Sequence, residues 1–312
     1  MLPGNHNNLV SVVIINYNSK DFLHACIASA LEIDWPNLEV IVVDNASSDG
    51  SPDMVEAEFG GRVRLIRREQ TSPTAGRNHG FSAARGAYIL SLDNDIVLSD
   101  RTVVRKAVAL LERLPKVALL AFKIGTVEDP TEPLPEHWWH PLPLEQGKNR
   151  CFFTDFFSEG AVFFRTEPLR AVGGYDEEFF QYFEGNDLAL KLIRDGFDLV
   201  FSGELACGEL RVRGLLHQKR TRVHYLGLRN KIWVVWKHYP IFKGGWYLLG
   251  RIGIAAYRSW RYDWIDLFLK AVKEGVFAPS EIRSQRRLLG RDAWRRIDEI
   301  HRGRFAEFGE RS

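Results

Sequence analysis

Residues 88–95 read Tyr88-Ile89-Leu90-Ser91-Leu92-Asp93-Asn94-Asp95, an apolar run that stops on two carboxylates. A helical stretch near Ala75 to Ala84 precedes it, and Val103, Val104, Ala107, Val108 and Leu111 lay out an apolar helix face after it. The run is short, so it predicts a buried strand. Alternate side chains of a strand share a side, which puts Asp93 and Asp95 together. Two close carboxylates repel unless a proton or a cation lies between them. A hard cation such as magnesium or manganese, held by one or two carboxylates and a diphosphate, would relieve that repulsion. Asp and Asn also form surface turns; the position at a strand's end favours the cation.

Upstream, Leu9 to Ile15 is an almost unbroken β-branched segment, followed by Phe22, Leu23, Cys26, Ile27, Ala30 and Leu31 at helical spacing. Glu39 to Val43 and Val63 to Ile66 are further strands, with Ser51 and Pro52 suited to the cap and first position of a helix through Phe59. Strands that are apolar on both faces and alternate with helices predict an α/β fold with a mostly parallel central sheet flanked by helices. Asn16-Tyr17-Asn18, Asp44-Asn45 and Asp93-Asn94-Asp95 all fall where such strands end. Open α/β sheets bind ligands outside those ends, so the three clusters outline one site. Asp44 could accept hydrogen bonds from a nucleobase or ribose, with Asn45, Ser47 and Ser48 adding polar groups; an Asx turn before a capped helix is compatible with this. Arg77 and Asn78 follow Gly76 at a helix start, where free amides and a guanidinium favour a diphosphate, although a lone arginine is more often simply exposed.

Between Lys123 and Arg150 periodicity fails, and the segment holds five prolines with Trp138, Trp139 and His140, which predicts a lid or binding loop. Beyond it, Gly160 to Arg165 reads as a strand and Leu188 to Ile193 as a helix.

The chain has 312 residues and is 45% hydrophobic, enough to bury a sizeable core. Residues 1–224 carry 24 Lys+Arg against 31 Asp+Glu, and residues 225–312 carry 18 against 9, so the two parts differ in sign. The start is short and polar, without a signal-peptide pattern. Gly244 to Tyr257, interrupted by Arg251, is shorter than the roughly 20 apolar residues that span a bilayer. Cys26, Cys151 and Cys207 make neither a disulfide framework nor a zinc spacing. A reducing cytoplasm is the expected setting.

Five segments in order carry a resemblance: Val12 to Asn18, Val42 to Ser51, Ala75 to Gly80, Leu92 to Asp95 and Gly173 to Phe180. As an ordered set they resemble the family 2 glycosyltransferases, and are most similar to their rhamnosyltransferase-like branch. The likeness covers roughly residues 9–240 and ends in Tyr225-Leu226-Gly227-Leu228-Arg229-Asn230-Lys231, similar to that branch's arginine-asparagine segment. It implies a GT-A fold, an inverting hexosyl transfer and a nucleotide-sugar donor, UDP- or dTDP-linked. It gives Asp44 to the base, Arg77 and Asn78 to the donor region, and Asp93 and Asp95 to the sugar diphosphate and metal. Asn16, Tyr17, Asn18, Asn45, Ser47 and Asn94 join the same donor site, and His217 lies where the branch often has a histidine near the metal. A lone histidine is more often structural or solvated.

The branch's Glu-Asp-x-Asp-Leu run carries the catalytic base on its first aspartate, but here the run is Glu184-Gly185-Asn186-Asp187-Leu188. Inverting transfer needs a carboxylate to take the acceptor hydroxyl's proton. Glu184 and Asp187 are the neighbouring candidates, or both cap the following helix; failing them, Asp155 or Glu159 comes next. Thr71 also departs from the family's usual asparagine.

Residues 1–224 are thus expected to be the nucleotide-sugar-binding and catalytic domain and 225–312 a helical extension. The latter carries six of the nine tryptophans beside many Lys and Arg, a composition that suits either an anionic membrane surface or closure of the core. The acceptor expected is a glycan or a lipid-linked one in surface polysaccharide or glycolipid synthesis; nucleic acid is not. Nucleotidyl transfer and an inactive glycan-binding relic are the rival readings.

Overall fold

The computed structural model describes residues 8–210 and 216–302, with side chains in the second stretch described from residue 221. Strands β1 (Val10–Asn16), β2 (Leu38–Asp44), β3 (Val63–Arg67) and β4 (Tyr88–Asp93) alternate with helices α1 (Lys20–Leu31), α2 (Ser51–Phe59) and α3 (Pro73–Ala83). The two-residue β5 (Ile96–Val97) precedes α4 (Val103–Arg113) and the long β6 (Val117–Thr126). Then come α5 (Leu144–Gly147), β7 (Cys151–Thr154), β8 (Ala161–Arg165), α6 (Thr166–Ala171), α7 (Glu184–Arg194) and β9 (Asp198–Glu209). Helices α8 (Leu216–His238), α9 (Ile241–Tyr262), α10 (Ile265–Val276), α11 (Ser280–Ser284) and α12 (Arg291–His301) follow. Gly50, with φ at 81°, takes the cap position of α2, so Ser51 is already helical.

Among the described residues one sheet runs β3-β2-β1-β4-β8-β6-β9-β5, with β7 beside β9. The β3-β2-β1-β4 half is parallel, as the alternating pattern predicts. The other half is mixed: β8 enters antiparallel between β4 and β6, and β9 returns parallel to β6. Alternate residues of β1 serve opposite faces. Val12 and Ile14 join the core under α1, α2 and α4, while Val13 and Ile15 join the core under α3, α7 and α8. That is why the strands read as continuous apolar runs.

The boundary expected at residue 224 falls inside α8. The second half of this helix buries Trp233 and Val234 in the same core as Ile282, Leu289 and Ile297 of the following segments. Parts of this C-terminal helical region thus share the core on one face of the sheet. Much of α9 stays uncovered, with Phe242, Trp246, Leu249, Tyr257 and Trp260 exposed.

The segment expected to be a lid or binding loop is docked on the sheet. Trp138 donates its indole N–H to the Leu142 carbonyl at 2.7 Å and packs edge-on against Phe201 and His140. His137 lies 2.7 Å from Ser158 Oγ and 3.0 Å from Glu209 Oε2, tying the loop to β9. Trp139 alone of these aromatics stands out into solvent.

Candidate active site

Strand register brings the polar ends together. Asn16 pairs with Asp44 across β1 and β2, and Ile15 pairs with Asp93 across β1 and β4. Asn16 is buried and acts as the hub. Its amide donates to Asp44 Oδ1 at 2.8 Å and to Ser47 Oγ at 3.2 Å, and its carbonyl oxygen accepts from Asn94 Nδ2 at 2.9 Å. Asp44 Oδ2 accepts the Ser47 backbone N–H at 2.9 Å, the Asx turn compatible with a binding role. The turn after β1 closes on the same loop, since Asn18 N–H donates to Ser47 Oγ and Ser48 N–H to Asn18 Oδ1. Tyr17 lies exposed at the rim. Asn45 is instead buried: a Cβ at Gly76 would approach its amide to 2.7 Å, so it packs the helix against the strand end. Thr71 Oγ1 donates to the Asn45 carbonyl at 3.0 Å, so the departure at this position still holds the loop.

On α3, the buried Arg77 sends Nη2 to Asp93 Oδ1. Burial works against its charge, but Asp93, Tyr175, Glu159 and Glu184 together hold its pKa above the ordinary value. Its guanidinium lies 5.8 Å from the Tyr175 ring centroid, and its Nε has no hydrogen-bond partner. Asp95 is the complementary case: burial, then Asp93 and Glu209, push it up to about 7. Glu209 is brought there by the pairing of β9 with β5, where Ile96 stands opposite it. A divalent ion fits this donor set, because it would relieve the repulsion that raises Asp95. Among the described residues no three His, Cys, Asp or Glu converge, so the remaining ligands would come from a bound diphosphate or water.

A second carboxylate group adjoins the first. Glu184 opens α7 and is only 5% exposed; its Oε2 has no partner, and burial and Glu159 raise its pKa well above the usual range. The approach to it is strained: Phe180, Tyr182 and Phe183 all have φ between 63° and 68°. Such residues cost on the order of 1–3 kcal/mol each and persist only when held. Asn230 of α8 holds them, its amide nitrogen reaching the carbonyls of Phe179 (2.9 Å), Gln181 (2.9 Å) and Tyr182 (2.7 Å).

Asp187 is not part of this group. It is fully buried, with Lys191 Nζ at 3.1 Å from Oδ2, and Lys237 Nζ at 2.7 Å and His238 Nε2 at 2.8 Å from Oδ1. Burial alone would raise its pKa, but Lys191, His238 and Lys237 pull it far below the carboxylate range. A carboxylate so paired is held in its ionised form, and the structure places it apart from the Asp93, Glu159 and Glu184 group. Asn78, expected in the donor region, has its amide committed to Tyr175, donating to the carbonyl at 2.9 Å and accepting its N–H at 3.0 Å. The side chain of His217 lies outside the described residues. Tyr175, Glu209 and His137 were not legible as site members, because strand pairing and loop docking bring them in from far along the chain. Glu159 carried one signal, an acid just before a strand that begins beside the others.

A family profile, Glycosyl transferase family 2, matches residues 11–173. The chain belongs to this family. Members similar to it include the succinoglycan biosynthesis protein ExoO of Rhizobium meliloti, 42% identical over 87 residues, 28% of this chain and 25% of that protein. The Escherichia coli UDP-Glc:alpha-D-GlcNAc-diphosphoundecaprenol beta-1,3-glucosyltransferase WfaP is 36% identical over 88 residues, 28% of this chain and 35% of that protein. The matches therefore span about a third or less of these relatives. In overall fold the chain is similar to S. aureus TarS 1-349 in complex with UDP-GlcNAc, with TM-score 0.63, 17% identity, and 94% and 89% of the two chains covered. It is also similar to the mannosyltransferase PcManGT from Pyrobaculum calidifontis in complex with GDP-Man and Mn2+, with TM-score 0.60, 18% identity, and 88% and 90% covered. The GT-A fold expected from the family resemblance is thus present. The profile match ends at Gly173, so Glu184, Asn230 and the C-terminal helices lie beyond it.

Proposed function

We propose that this family 2 member moves a hexose from a nucleoside-diphosphate sugar, UDP- or dTDP-linked, onto an acceptor hydroxyl with inversion, as in the rhamnosyltransferase-like branch. One observation carries the reading: the Asn16 side chain bonds to both Asp44 and Asn94, joining a corner suited to a nucleoside to the carboxylate corner at Asp93 and Asp95. Asp44 and Ser47 would orient the nucleoside, and Arg77, with its free Nε, would face the diphosphate. Magnesium or manganese on Asp93 and Asp95 supplies, when bound, neutralisation of charge on the leaving diphosphate. PcManGT is described with Mn2+ and TarS with UDP-GlcNAc, which supports these roles. WfaP's diphosphoundecaprenol acceptor supports a lipid-linked acceptor here. The test is a panel of UDP-, dTDP- and GDP-sugars with manganese or magnesium. Release of free nucleoside diphosphate is expected. Pyrophosphate release would mark a nucleotidyltransferase instead, and no turnover a binding relic.

An anionic membrane surface is the further partner, and α9 supports it. Phe242, Trp246, Leu249, Tyr257 and Trp260 follow helical spacing, and the first, second and last are 88%, 79% and 71% exposed. The helix carries Lys243, Arg251, Arg258 and Arg261 and no acid. No described helix is long and apolar enough to cross a membrane, so the reading is a helix lying in the interface. Co-sedimentation with phosphatidylglycerol vesicles that salt reverses is expected; equal binding to neutral vesicles would remove it.

A further inference from the structure

We propose that Glu159 supplies the catalytic base that position 185 lacks, and that Gly185 is what gives its carboxylate room. The inference rests on the glycosyl-transfer reading above.

A Cβ at residue 185 would lie 2.0 Å from Glu159 Oε1 and 2.9 Å from its carboxyl carbon. Real atoms do not approach so closely, so a side chain at 185 and the present position of the Glu159 carboxylate exclude each other. Gly185 does more than step aside. Its N–H, one of the free amides in the first turn of α7, donates to the Glu159 carboxylate and fixes it at the helix N-terminus. Glu159 is also coupled to the other end of the site. The Asp93 N–H donates to the carbonyl of Gly160 at 2.9 Å, so β8 delivers Glu159 beside the strand-end carboxylates.

The neighbouring carboxylates are less suited to the task. Asp93 is engaged by Arg77, and Glu184 is almost wholly buried. Glu159 is less enclosed as a residue than Glu184, although its carboxylate is tucked against the first turn of α7. Burial, partly countered by Arg77, raises its pKa, which makes it a better proton acceptor. In the step proposed, the acceptor O–H gives its proton to Glu159 as the oxygen bonds to the anomeric carbon. The bond from that carbon to the diphosphate oxygen breaks, and its electron pair leaves with the nucleoside diphosphate.

The test compares the wild type with Glu159→Gln, Gly185→Asp and the double variant Glu159→Gly with Gly185→Asp. Turnover is measured alongside UDP and manganese binding by thermal shift. Glu159→Gln should lower kcat by about 10²–10⁴-fold with binding nearly unchanged, and should remove the acidic limb of the kcat–pH profile. Gly185→Asp alone should be similarly impaired, because its side chain displaces Glu159. The double variant should regain at least about tenfold over either single change, which a purely structural role does not predict. If Gly185→Asp fails to fold, the isosteric Glu159→Gln and its pH profile decide alone. A wild type that turns over while Glu159→Gln keeps near-normal kcat overturns this proposal only. A wild type inactive with every donor overturns the transfer reading and this proposal with it.

Discussion

His238 Nε2 lies 2.8 Å from Asp187 Oδ1, with both side chains shut away from solvent. The acceptor is a carboxylate, so Nε2 carries the proton, and burial keeps the imidazole pKa below its ordinary value. With Lys191 and Lys237 on the same carboxylate, the cluster joins α7 to the end of α8. Its role is to lock two helices. Asp187→Ala would leave the buried Lys191 ammonium without its counter-charge and Lys237 with Asp176 alone, at a cost of roughly 3–5 kcal/mol. We predict a large fall in Tm for this variant. Because the folded pKa is depressed, the contribution is present above about pH 4 and lost as pH falls toward the folded value. Denaturant titrations from pH 3 to 7 should show a weaker acid dependence in Asp187→Asn. An unchanged Tm with lost turnover would return Asp187 to the chemistry.

Asp95 has the opposite sign. Its folded pKa, about 7, lies above the roughly 3.9 of an unfolded aspartate, so the native state holds its proton more tightly. Without divalent cations, stability should therefore fall as pH rises from about 4 to 7. Asp95→Asn should flatten that slope and raise Tm at pH 7 by a few degrees. Manganese should stabilise the wild type and not the variant, and Asp93→Ala or Asp95→Ala should abolish metal-stimulated transfer. Equal manganese shifts in both proteins would argue against these carboxylates as ligands.

Asn230 should matter beyond its own hydrogen bonds. Replacing it by Ala removes its bonds to three carbonyls of a loop whose residues at 180, 182 and 183 are held at positive φ, although the Phe179 carbonyl still accepts from Arg229 and the Gln181 N–H. We expect a loss of about 1–3 kcal/mol and faster amide exchange confined to residues 179–184. Turnover should fall with it, since the loop sets the start of α7. Exchange rates unchanged from wild type would show that the loop is held by other contacts.

The exposed face of α9 can be altered without touching the core. Phe242→Glu with Trp246→Glu should leave Tm within about a degree of wild type, since neither side chain is buried. Vesicle co-sedimentation should be lost in the same variant. Retained binding to anionic vesicles would move the contact to another surface.

How far this was legible in the sequence depends on the range of the contacts. Apolar runs ending in Asn16, Asp44 and Asp93 determined the parallel half of the sheet and its ligand-facing end. Period and strand termination are local properties, and right-handed crossovers leave few ways to assemble them. The tertiary structure decided the rest. No local pattern says that β8 inserts antiparallel next to β4, yet that pairing brings Glu159 beside Asp93 and against Gly185. Likewise Asp187 and Glu184 are both carboxylates on one helical turn. Only the approach of Lys237 and His238, some 50 residues away, makes one a buried anchor and leaves the other bordering the site. Charge environments are set by which elements meet, and that is a property of long-range packing.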